Sequence, residues 1–363
     1  MRRRGLLSGD GRVCCSPLPR DRRKAKMNRS FGVFALRLAA AAILLSACSS
    51  TPSGGPDRTS SSNPAATSSP SAATRPPPTY EWEELEKHVV KVGSAPETAA
   101  VGYGSVWVPS HGGRIISRID PETNKVTTID IGAGFAINKV VAFGARSAWV
   151  QQWTESGKEL VTRRIDVRTN KVVATVRLGG SGRLAFGGEH LWIFDGSVLF
   201  KVDPATNKVV NRLRIGGYSD ESYVTFAHGS VWVAHWEDGV FRVDPDTMQV
   251  IERIDVKAWK IVSDGRAMWV LDEGKSTVSE IDPSTNEVVA TIDVGPGTGV
   301  LARGVHEELW VRTIPNSLFL IDSRRAEIVR AFRLPSETEY VDVGFGSLWV
   351  PFSDRNEVWR VEL

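Results

Sequence analysis

IDPETNKV, residues 119–126, places two acids, an amide and a hydroxyl within eight residues. Oxygen-rich runs of this kind occur both in calcium-binding loops and in turns. A catalytic or metal site does not normally recur many times in one chain, whereas a hairpin turn does. Five related runs follow: IDVRTNKV (165–172), VDPATNKV (202–209), VDPDTMQV (243–250), IDPSTNEV (281–288) and IDSRRAEI (321–328).

The residue types in these runs suit a turn better than a calcium site. Proline after aspartate fixes φ at the second position of a turn, and asparagine tolerates the left-handed conformation on its far side. Calcium would need six or more oxygens converging at one point, which requires a longer loop rich in Asp, Asn and Gly. Each run therefore predicts a tight connection between two strands, and the runs count the structural repeats.

A second feature recurs with the same period: a tryptophan between apolar neighbours, as in SVWVPS, residues 105–110. Seven such tryptophans are separated by 37 to 43 residues: Trp107, Trp149, Trp192, Trp232, Trp269, Trp310 and Trp349. Each repeat holds four short β-branched runs bounded by Gly, Pro, Asp and Asn. The pattern predicts an all-β, seven-bladed β-propeller, with the tryptophans packed in the core between adjacent blades.

The two ends of the repeat region predict how the ring closes. The last repeat, ending in NEVWRVEL (356–363), lacks a fourth strand, and KHVVKVGS (87–94) resembles a fourth strand without a blade. Pairing these segments would close a propeller over residues 87–363 and remove exposed sheet edges. A closed ring needs no partner to be stable, so we expect a monomer.

The repeats resemble the YVTN-type propellers of secreted bacterial and archaeal surface proteins, through units such as IDPSTNEVVATIDVG, residues 281–295. More distantly, strands of the pattern Gly-x-Leu-Trp resemble those of streptogramin lyase propellers. The resemblance covers residues 87–363 and implies an architecture more than an activity. Quinoprotein propellers are typically larger and eight-bladed, so seven repeats count against a redox cofactor.

The N-terminal region predicts export and a lipid anchor. From Met27 the chain has a basic start, an apolar run over residues 38–45 and then small residues. This is typical of a signal peptide, over residues 27–47, and is too short for a permanent membrane helix. LSAC, residues 45–48, resembles the lipobox of bacterial lipoproteins, which implies a lipid on Cys48 and an extracytoplasmic, membrane-anchored protein. An ordinary cleaved signal ending in a chance Ala-Cys is the alternative.

The segments on either side of the signal are polar. Residues 1–26 precede a complete signal, so they are predicted to be a wrongly assigned or unstructured extension and Met27 to be the true start. Residues 48–80 are rich in Ser, Thr and Pro and predict a flexible tether, since they cannot bury enough apolar surface to fold. Their hydroxyl content also allows a glycosylated stalk.

Charge and cysteine content exclude two classes of function. Residues 1–47 carry a net charge of +9, so the formal charge of +3 leaves −6 on residues 48–363. An acidic body lacks the clustered Lys and Arg that nucleic-acid binding needs. The three cysteines, Cys14, Cys15 and Cys48, precede the repeats, so the propeller can have neither disulfides nor cysteine-ligated zinc.

A four-stranded antiparallel blade predicts two different rims. The turn rim carries the first-to-second and third-to-fourth connections, including the six runs. The variable rim carries the second-to-third and blade-to-blade connections, whose sequences differ and where a binding site can therefore be built. The position three residues after each tryptophan begins the variable loops. It is polar in six repeats, as Ser110, Gln152, Asp195, His235, Asp272 and Thr313, and is Phe352 in the seventh.

The variable loops supply the candidate ligand-binding residues. Aromatic rings mixed with acids and histidines suit a sugar, a peptide or an amphipathic small molecule, although rim loops can also be merely solvated. The candidates are His111, Gln152, Trp153, His235, Trp236, Trp259, Asp272, Asp354 and Arg355, with Tyr218, Glu237, Glu273 and Lys275 beside them. Large exposed aromatic side chains need more explanation than exposed acids, which favours Trp153, Trp236 and Trp259.

The sequence favours a binding module over an enzyme. It contains no nucleophile elbow, phosphate loop or His-x-x-x-His zinc pair. We therefore expect a cofactor-free module that binds an envelope protein, a glycan or a small molecule. The resemblance to streptogramin lyases implies the alternative, a lyase or hydrolase acting from the variable rim.

In the lyase alternative His235 would be the base, and Asp195, Asp272 or Glu237 would orient it or hold a magnesium ion. The chain departs from the lyase pattern because its variable loops hold only His111 and His235, three blades apart. The remaining histidines are predicted to be structural: His88, His190, His228 and His306.

Overall fold

A computed structural model describes residues 77–136, 140–178, 182–219, 222–297, 299–305, 307–313, 316–336, 338 and 340–363. The predicted extension, the signal peptide, Cys48, most of the tether and His306 lie outside the described residues. Strands and turns make up the described chain, together with one short 3-10 turn over Trp82–Glu84. Within these ranges no helix is long and apolar enough to cross a membrane.

Two short N-terminal strands precede the strands of the seven blades. The N-terminal elements are β1 (Thr79–Glu81) and β2 (Lys87–Lys91). Blade one contains β3 (Ala100–Gly102), β4 (Ser105–Pro109), β5 (Ile115–Ile119) and β6 (Val126–Asp130). Blade two contains β7 (Phe135–Ala136), β8 (Ala142–Gly144), β9 (Ser147–Trp153), β10 (Leu160–Asp166) and β11 (Lys171–Arg177). Blade three contains β12 (Arg183–Gly187), β13 (His190–Phe194), β14 (Val198–Asp203) and β15 (Lys208–Arg214).

The remaining blades repeat the same order. Blade four contains β16 (Ser222–Ala227), β17 (Ser230–His235), β18 (Gly239–Val243) and β19 (Val250–Ile254). Blade five contains β20 (Lys260–Ser263), β21 (Met268–Asp272), β22 (Thr277–Asp282) and β23 (Glu287–Asp293). Blade six contains β24 (Val300–Arg303), β25 (Glu308–Thr313), β26 (Ser317–Asp322) and β27 (Glu327–Arg333). Blade seven contains β28 (Asp342–Gly344), β29 (Ser347–Phe352) and β30 (Glu357–Glu362). The predicted seven-bladed β-propeller is confirmed.

The N-terminal strand closes the ring, as predicted. β2 pairs antiparallel with β30, from Lys87 opposite Val361 to Lys91 opposite Glu357, and completes blade seven. The sequence did not predict β1, which pairs in parallel with β27 as a fifth strand of blade six. Between β1 and β2 the side chain of Trp82 is fully buried and stacks on Trp359. The N-terminal segment therefore ties blades six and seven together.

The repeated tryptophans form the core, as predicted. All seven are at most 1% exposed and lie between neighbouring sheets. Five of them donate their indole N–H to the backbone carbonyl of the residue five positions earlier: Trp107, Trp149, Trp192, Trp232 and Trp349. Trp269 donates instead to the carboxylate of Asp264, and Trp310 has no acceptor among the described residues. In every blade except blade six, the buried indole N–H of the repeated tryptophan therefore has a hydrogen-bond acceptor.

The six repeated runs are turns, as predicted. In the first, the Asp120 carboxylate accepts hydrogen bonds from the N–H groups of Glu122 and Thr123, at 3.0 and 2.9 Å. These bonds stabilise the ionised carboxylate and lower the pKa of Asp120. Asn124 has a φ of 57° in the left-handed region. Asparagine adopts this conformation more readily than other non-glycine residues, because its short side chain bonds the local backbone.

The turns also join each blade to its neighbour. In blade four the Arg242 guanidinium lies 5.0 Å from the centre of the Trp232 ring, and Nε donates to Ser230 Oγ at 2.9 Å. Its Nη1 crosses to blade five and donates to the Pro283 carbonyl at 2.5 Å and to Asn286 Oδ1 at 2.9 Å. We call this arrangement the inter-blade clamp. It ties a core tryptophan to the turn of the next blade.

The clamp recurs around most of the ring. The equivalent donors are Arg118 in blade one, Arg164 in blade two, Lys201 in blade three and Arg360 in blade seven, which reaches Pro121 of blade one. In blade five Glu280 occupies the position, and Arg266 bridges it to the Ser323 carbonyl of blade six. Blade six has Leu320 there, and no turn of blade seven faces it. The junction of blades six and seven is therefore built without a clamp.

We expect the ring to depend on its closing strand. A chain beginning at Ser94 would lack β1, Trp82 and β2, and would leave β30 as an exposed edge. The shortened chain should be insoluble. If it stays soluble, calorimetry should show that it melts at least about 10 °C below a chain beginning at Pro77. Equal melting temperatures would show that the ring holds without this strand.

We also expect the clamp to stabilise the fold measurably. Arg242→Ala should lower the free energy of unfolding by about 2–4 kcal/mol, because it removes charge-assisted hydrogen bonds and a cation–π contact. Arg212→Ala, in the exposed part of β15, is the control and should change it by less than about 0.5 kcal/mol. Urea unfolding measures both. Equal effects of the two substitutions would contradict a special role for the clamp.

Candidate functional site

The predicted loop-starting residues are mostly buried. Six of the seven are at most 4% exposed: Ser110, Gln152, His235, Asp272, Thr313 and Phe352, while Asp195 is partly buried. A buried polar side chain at the end of a strand needs a partner in the following loop. Ser110 Oγ has no hydrogen-bond partner among the described residues, while Gln152 and His235 are bonded to neighbouring loops and strands. How these side chains would meet a ligand depends on such bonds.

His235, the candidate base, is fully buried and bonded at both ring nitrogens. Nδ1 lies 3.1 Å from the Asp238 N–H, which donates to it, and Nε2 lies 3.1 Å from the Gly217 carbonyl. This pairing fits the neutral tautomer with its proton on Nε2. Phe194 and Phe241 present ring edges to the imidazole. A substrate would have to displace one of these bonds to use His235 as a base, so the catalytic role stays a prediction.

The candidate acids also hold their loops. Asp195 accepts from the N–H groups of Ser197 and Val198, at 2.9 and 2.7 Å. Asp272 accepts from the Lys275 N–H through Oδ1, while its buried Oδ2 has no hydrogen-bond partner and lies 4.0 Å from Lys275 Nζ. Glu237 is exposed beside His235. The described residues contain no group of three or more His, Cys, Asp or Glu side chains placed to hold a metal ion.

The other predicted binding residues lie on separate loops of the variable rim. Gln152 donates to the Gly132 carbonyl and accepts from Arg163, which fixes its position. His111 is exposed, with Nδ1 3.2 Å from the Glu97 carboxylate. Arg355 lies over the rings of Phe352 and Trp359, and Asp354 is exposed beside it. The three favoured tryptophans, Trp153, Trp236 and Trp259, are half-buried rather than exposed.

A cluster that sequence reasoning missed lies at the start of the first strands. These strands surround the central channel, and each begins at the variable rim. Arg183 begins β12, Tyr223 lies in β16, Lys260 begins β20 and Tyr340 precedes β28. With Trp259, these residues form what we call the mouth cluster. Of the predicted residues, only Trp259 belongs to it.

The rings and cations of the mouth cluster contact one another. The Tyr223 and Tyr340 hydroxyls form a short hydrogen bond across the channel. The Arg183 guanidinium lies 4.5 Å from the centre of the Tyr223 ring. Lys260, only 3% exposed, has its Nζ 4.0 Å from the Tyr340 ring and 5.0 Å from the Trp259 ring, and donates to the Gly299 carbonyl at 2.5 Å. Four blades therefore meet through stacked cations and phenols.

Burial keeps the Tyr340 phenol of this cluster protonated. Desolvation raises the pKa of Tyr340 well above its usual value, and the neighbouring Tyr223 adds to the effect. The nearby Arg183 acts in the opposite direction, more weakly. A protonated phenol both donates and accepts a hydrogen bond. The hydroxyl pair can therefore bind either a donor or an acceptor group of a ligand.

A cavity of about 210 Å³ extends from the cluster into the channel. Its walls are mainly apolar, from Ala99, Val141, Ile261 and Leu301, and its polar groups include Tyr223, Lys260, Tyr340 and Asp342. Apolar walls with a few convergent polar groups are typical of a ligand site. The cavity is small, so it would hold only one end of a larger ligand.

One register position of the repeats carries four of these residues. Four residues before the glycine that ends most first strands, the chain has Thr98, Val140, Arg183, Tyr223, Lys260, Val300 and Tyr340. The position is aromatic or cationic in four repeats and small or apolar in three. Aligning the repeats on this glycine, rather than on the tryptophan, is the signal that could have found the cluster.

Asp342 begins β28, two residues after Tyr340. Blades one, two and three have alanine at this position. Its Oδ2 accepts from the Val101 N–H of blade one at 2.7 Å, and its Oδ1 accepts from the Val343 N–H at 2.9 Å. Desolvation nevertheless raises the pKa of Asp342 to about 6, against the effect of both bonds. The junction between the last and first blades thus contains a carboxylate that is costly to ionise.

Comparison with known proteins assigns no family. No protein-family model matches the chain, and no curated protein matches it. The resemblance to YVTN-type repeats and to streptogramin lyases therefore stays a prediction, while the fold defines the chain as a seven-bladed β-propeller.

The raised pKa of Asp342 predicts a pH-dependent stability. Between the usual pKa of 3.8 and about 6, the folded protein keeps a proton that the unfolded chain releases. The contribution of this carboxyl to the free energy of unfolding is therefore greatest at low pH and falls as pH rises to about 6. Asp342→Asn removes the titration. Relative to this variant, the free energy of unfolding of the native protein should fall by roughly 1–2 kcal/mol between pH 4 and pH 7, after allowance for partial exposure of the carboxyl.

Urea unfolding of both proteins across this pH range measures the difference between their free energies of unfolding. The contributions of the other titrating groups largely cancel in this difference. A difference that stays constant, or that changes in favour of the native protein as pH rises, would contradict the shifted pKa.

Proposed function

We propose that the protein is an extracytoplasmic lipoprotein, anchored to a bacterial cell membrane through Cys48, whose propeller binds a small polyhydroxylated ligand such as the end of a glycan. The mouth cluster carries this proposal: a hydrogen-bonded pair of phenols, a stacked arginine and a buried lysine converge over a channel cavity. The binding site is the mouth of the channel on the variable rim, and the protein has no chemistry of its own.

The chemistry of the cluster supports a sugar-like ligand. The aromatic faces of Tyr223, Trp259 and Tyr340 suit the apolar face of a sugar ring. The phenol pair donates and accepts, and the cations donate, which matches the mixed demands of several hydroxyl groups. Because the cavity holds about 210 Å³, one ring enters it and the variable loops contact the rest.

The proposed anchor supports a role at the cell surface. The signal-like segment, the LSAC sequence ending at Cys48 and the Ser/Thr/Pro-rich residues that follow would place the propeller outside the membrane. Glycans and other small envelope components are then the ligands within reach. Mass spectrometry of the mature protein tests the anchor, since a lipid on Cys48 adds a diagnostic mass to the N-terminal peptide.

Binding to a glycan array, followed by calorimetry, tests the mouth cluster. Tyr340→Phe keeps the ring but removes one hydroxyl of the pair, and should weaken binding of a detected glycan about tenfold, which corresponds to one hydrogen bond of about 1.4 kcal/mol. Tyr218→Phe is the matched control, because Tyr218 is a 65% exposed tyrosine on the same rim, and should leave affinity unchanged.

Equal affinities of the two variants would place the ligand elsewhere on the rim. Binding lost on replacement of Trp236 but kept in Tyr340→Phe would favour the variable loops over the channel. Turnover of a lactone or cyclic depsipeptide, abolished by His235→Ala, would overturn the proposal in favour of the lyase alternative.

A further inference from the structure

The junction of blades six and seven is built differently from the other junctions. Elsewhere a cation or a bridging arginine reaches a turn between the third and fourth strands of the next blade. In blade seven these strands are β30 and β2, which lie at opposite ends of the described chain, so no turn joins them. Blade six has Leu320 in place of the clamp residue. The space that a turn and a cation fill at other junctions is lined here mainly by apolar side chains.

A cavity of about 440 Å³ occupies this space, and we call it the junction cavity. Trp82, Leu85, Trp310, Leu320, Val329 and Phe332 contribute to its walls. Its volume is within the range of small-molecule sites, and it is larger than the channel cavity. The cavity is partly open to solvent, so a ligand can enter it.

Unsatisfied donors also distinguish this junction. The indole N–H groups of Trp82 and Trp310, both in the cavity wall, are buried without an acceptor among the described residues. The other six repeated tryptophans each have one. Unpaired buried donors cost free energy. Trp259 also has a buried indole N–H without an acceptor among the described residues, but only this cavity wall contains two such groups. Local packing therefore leaves this junction incomplete in both volume and hydrogen bonding.

The charges at the edge of the cavity restrict its occupant. Glu308 and Glu362 contribute two carboxylates, and Arg330 contributes one cation. The carboxylate of Glu362 lies 4.0 Å from the imidazole of His88, at the start of the closing strand. A net negative edge disfavours an anionic head group such as that of a free fatty acid. Carboxylates do accept hydrogen bonds from hydroxyl groups.

We propose that the junction cavity binds one acyl chain of a lipid with a neutral, hydroxylated head group, as in a monoacylglycerol. The chain would replace the missing turn between Leu320, Val329 and Phe332. The head group would lie at the edge, with its hydroxyls donating to Glu308 and Glu362. This site lies between blades six and seven, away from the channel, and does not depend on the ligand proposed for the mouth cluster.

Titration calorimetry with 1-monolaurin, below its critical micelle concentration, tests the site on the purified protein. We expect saturable binding of one monolaurin per protein, with affinity at least about tenfold higher than for laurate at pH 7.5. The heat-capacity change should be negative, because apolar surface is buried. Absence of saturable monolaurin binding, or tighter binding of laurate, would overturn the proposal.

Two substitutions locate the bound chain. Val329→Trp should fill the cavity and reduce monolaurin affinity at least about tenfold. Val210→Trp is the matched control, because Val210 has the same strand position in blade three and is 54% exposed; it should bind like the native protein. Equal loss in both variants, or loss in neither, would place the lipid elsewhere.

A charge substitution keeps the proposal testable if Val329→Trp does not fold. Glu362→Lys replaces one acceptor of the head group by a cation, so it should raise laurate affinity at least about fivefold and lower monolaurin affinity. Unchanged laurate affinity would show that the head group does not lie at this edge.

Discussion

The guanidinium that joins one blade to the next is the interaction on which the ring depends. Arg242 lies on Trp232 of its own blade and donates to the Pro283 carbonyl and to Asn286 in the turn of blade five. A planar donor of fixed geometry needs acceptors at fixed positions. The left-handed asparagine of the turn supplies one of them, and the proline carbonyl supplies the other. The repeated Asp-Pro-x-Thr-Asn sequence is therefore both a hairpin and an acceptor, which explains why it varies so little.

Closing a ring with a strand from the other end of the domain removes one of these turns. Blade seven therefore offers no turn to blade six, and the clamp position of blade six, residue 320, is leucine rather than a cation. Leucine at that position is the consistent solution. Trp82 and β1 then cover the junction from outside, with Trp82 stacked on Trp359. A clamp needs a turn on the next blade. This requirement makes the other junctions alike, and its absence in blade seven accounts for the different packing of this junction.

The sequence predicts the features that are local and repeated. A tryptophan between apolar neighbours and an Asp-Pro-x-Thr-Asn turn act within one blade, so spacing alone reveals the architecture and the closing strand β2. The parallel strand β1 was missed because TYE, residues 79–81, has no repeat to compare with. The mouth cluster was missed for a different reason. Arg183, Tyr223 and Tyr340 are far apart in sequence, and only ring closure places them around one channel.

Burial of the loop-starting side chains changes how the variable rim can work. His235 bonds Asp238 of its own loop and Gly217 of the preceding blade connection, and Gln152 bonds Gly132 of the connection before its blade and Arg163 of β10. These polar residues therefore serve structure, and the loops they hold approach a ligand already ordered, which lowers the entropic cost of binding. The first position of the inner strands differs from blade to blade, from Thr98 and Val300 to Arg183, Tyr223, Lys260 and Tyr340, while the strand pairing of the blades stays the same. In a repeat protein, a binding site can develop where the repeat itself places the fewest structural demands on the side chain.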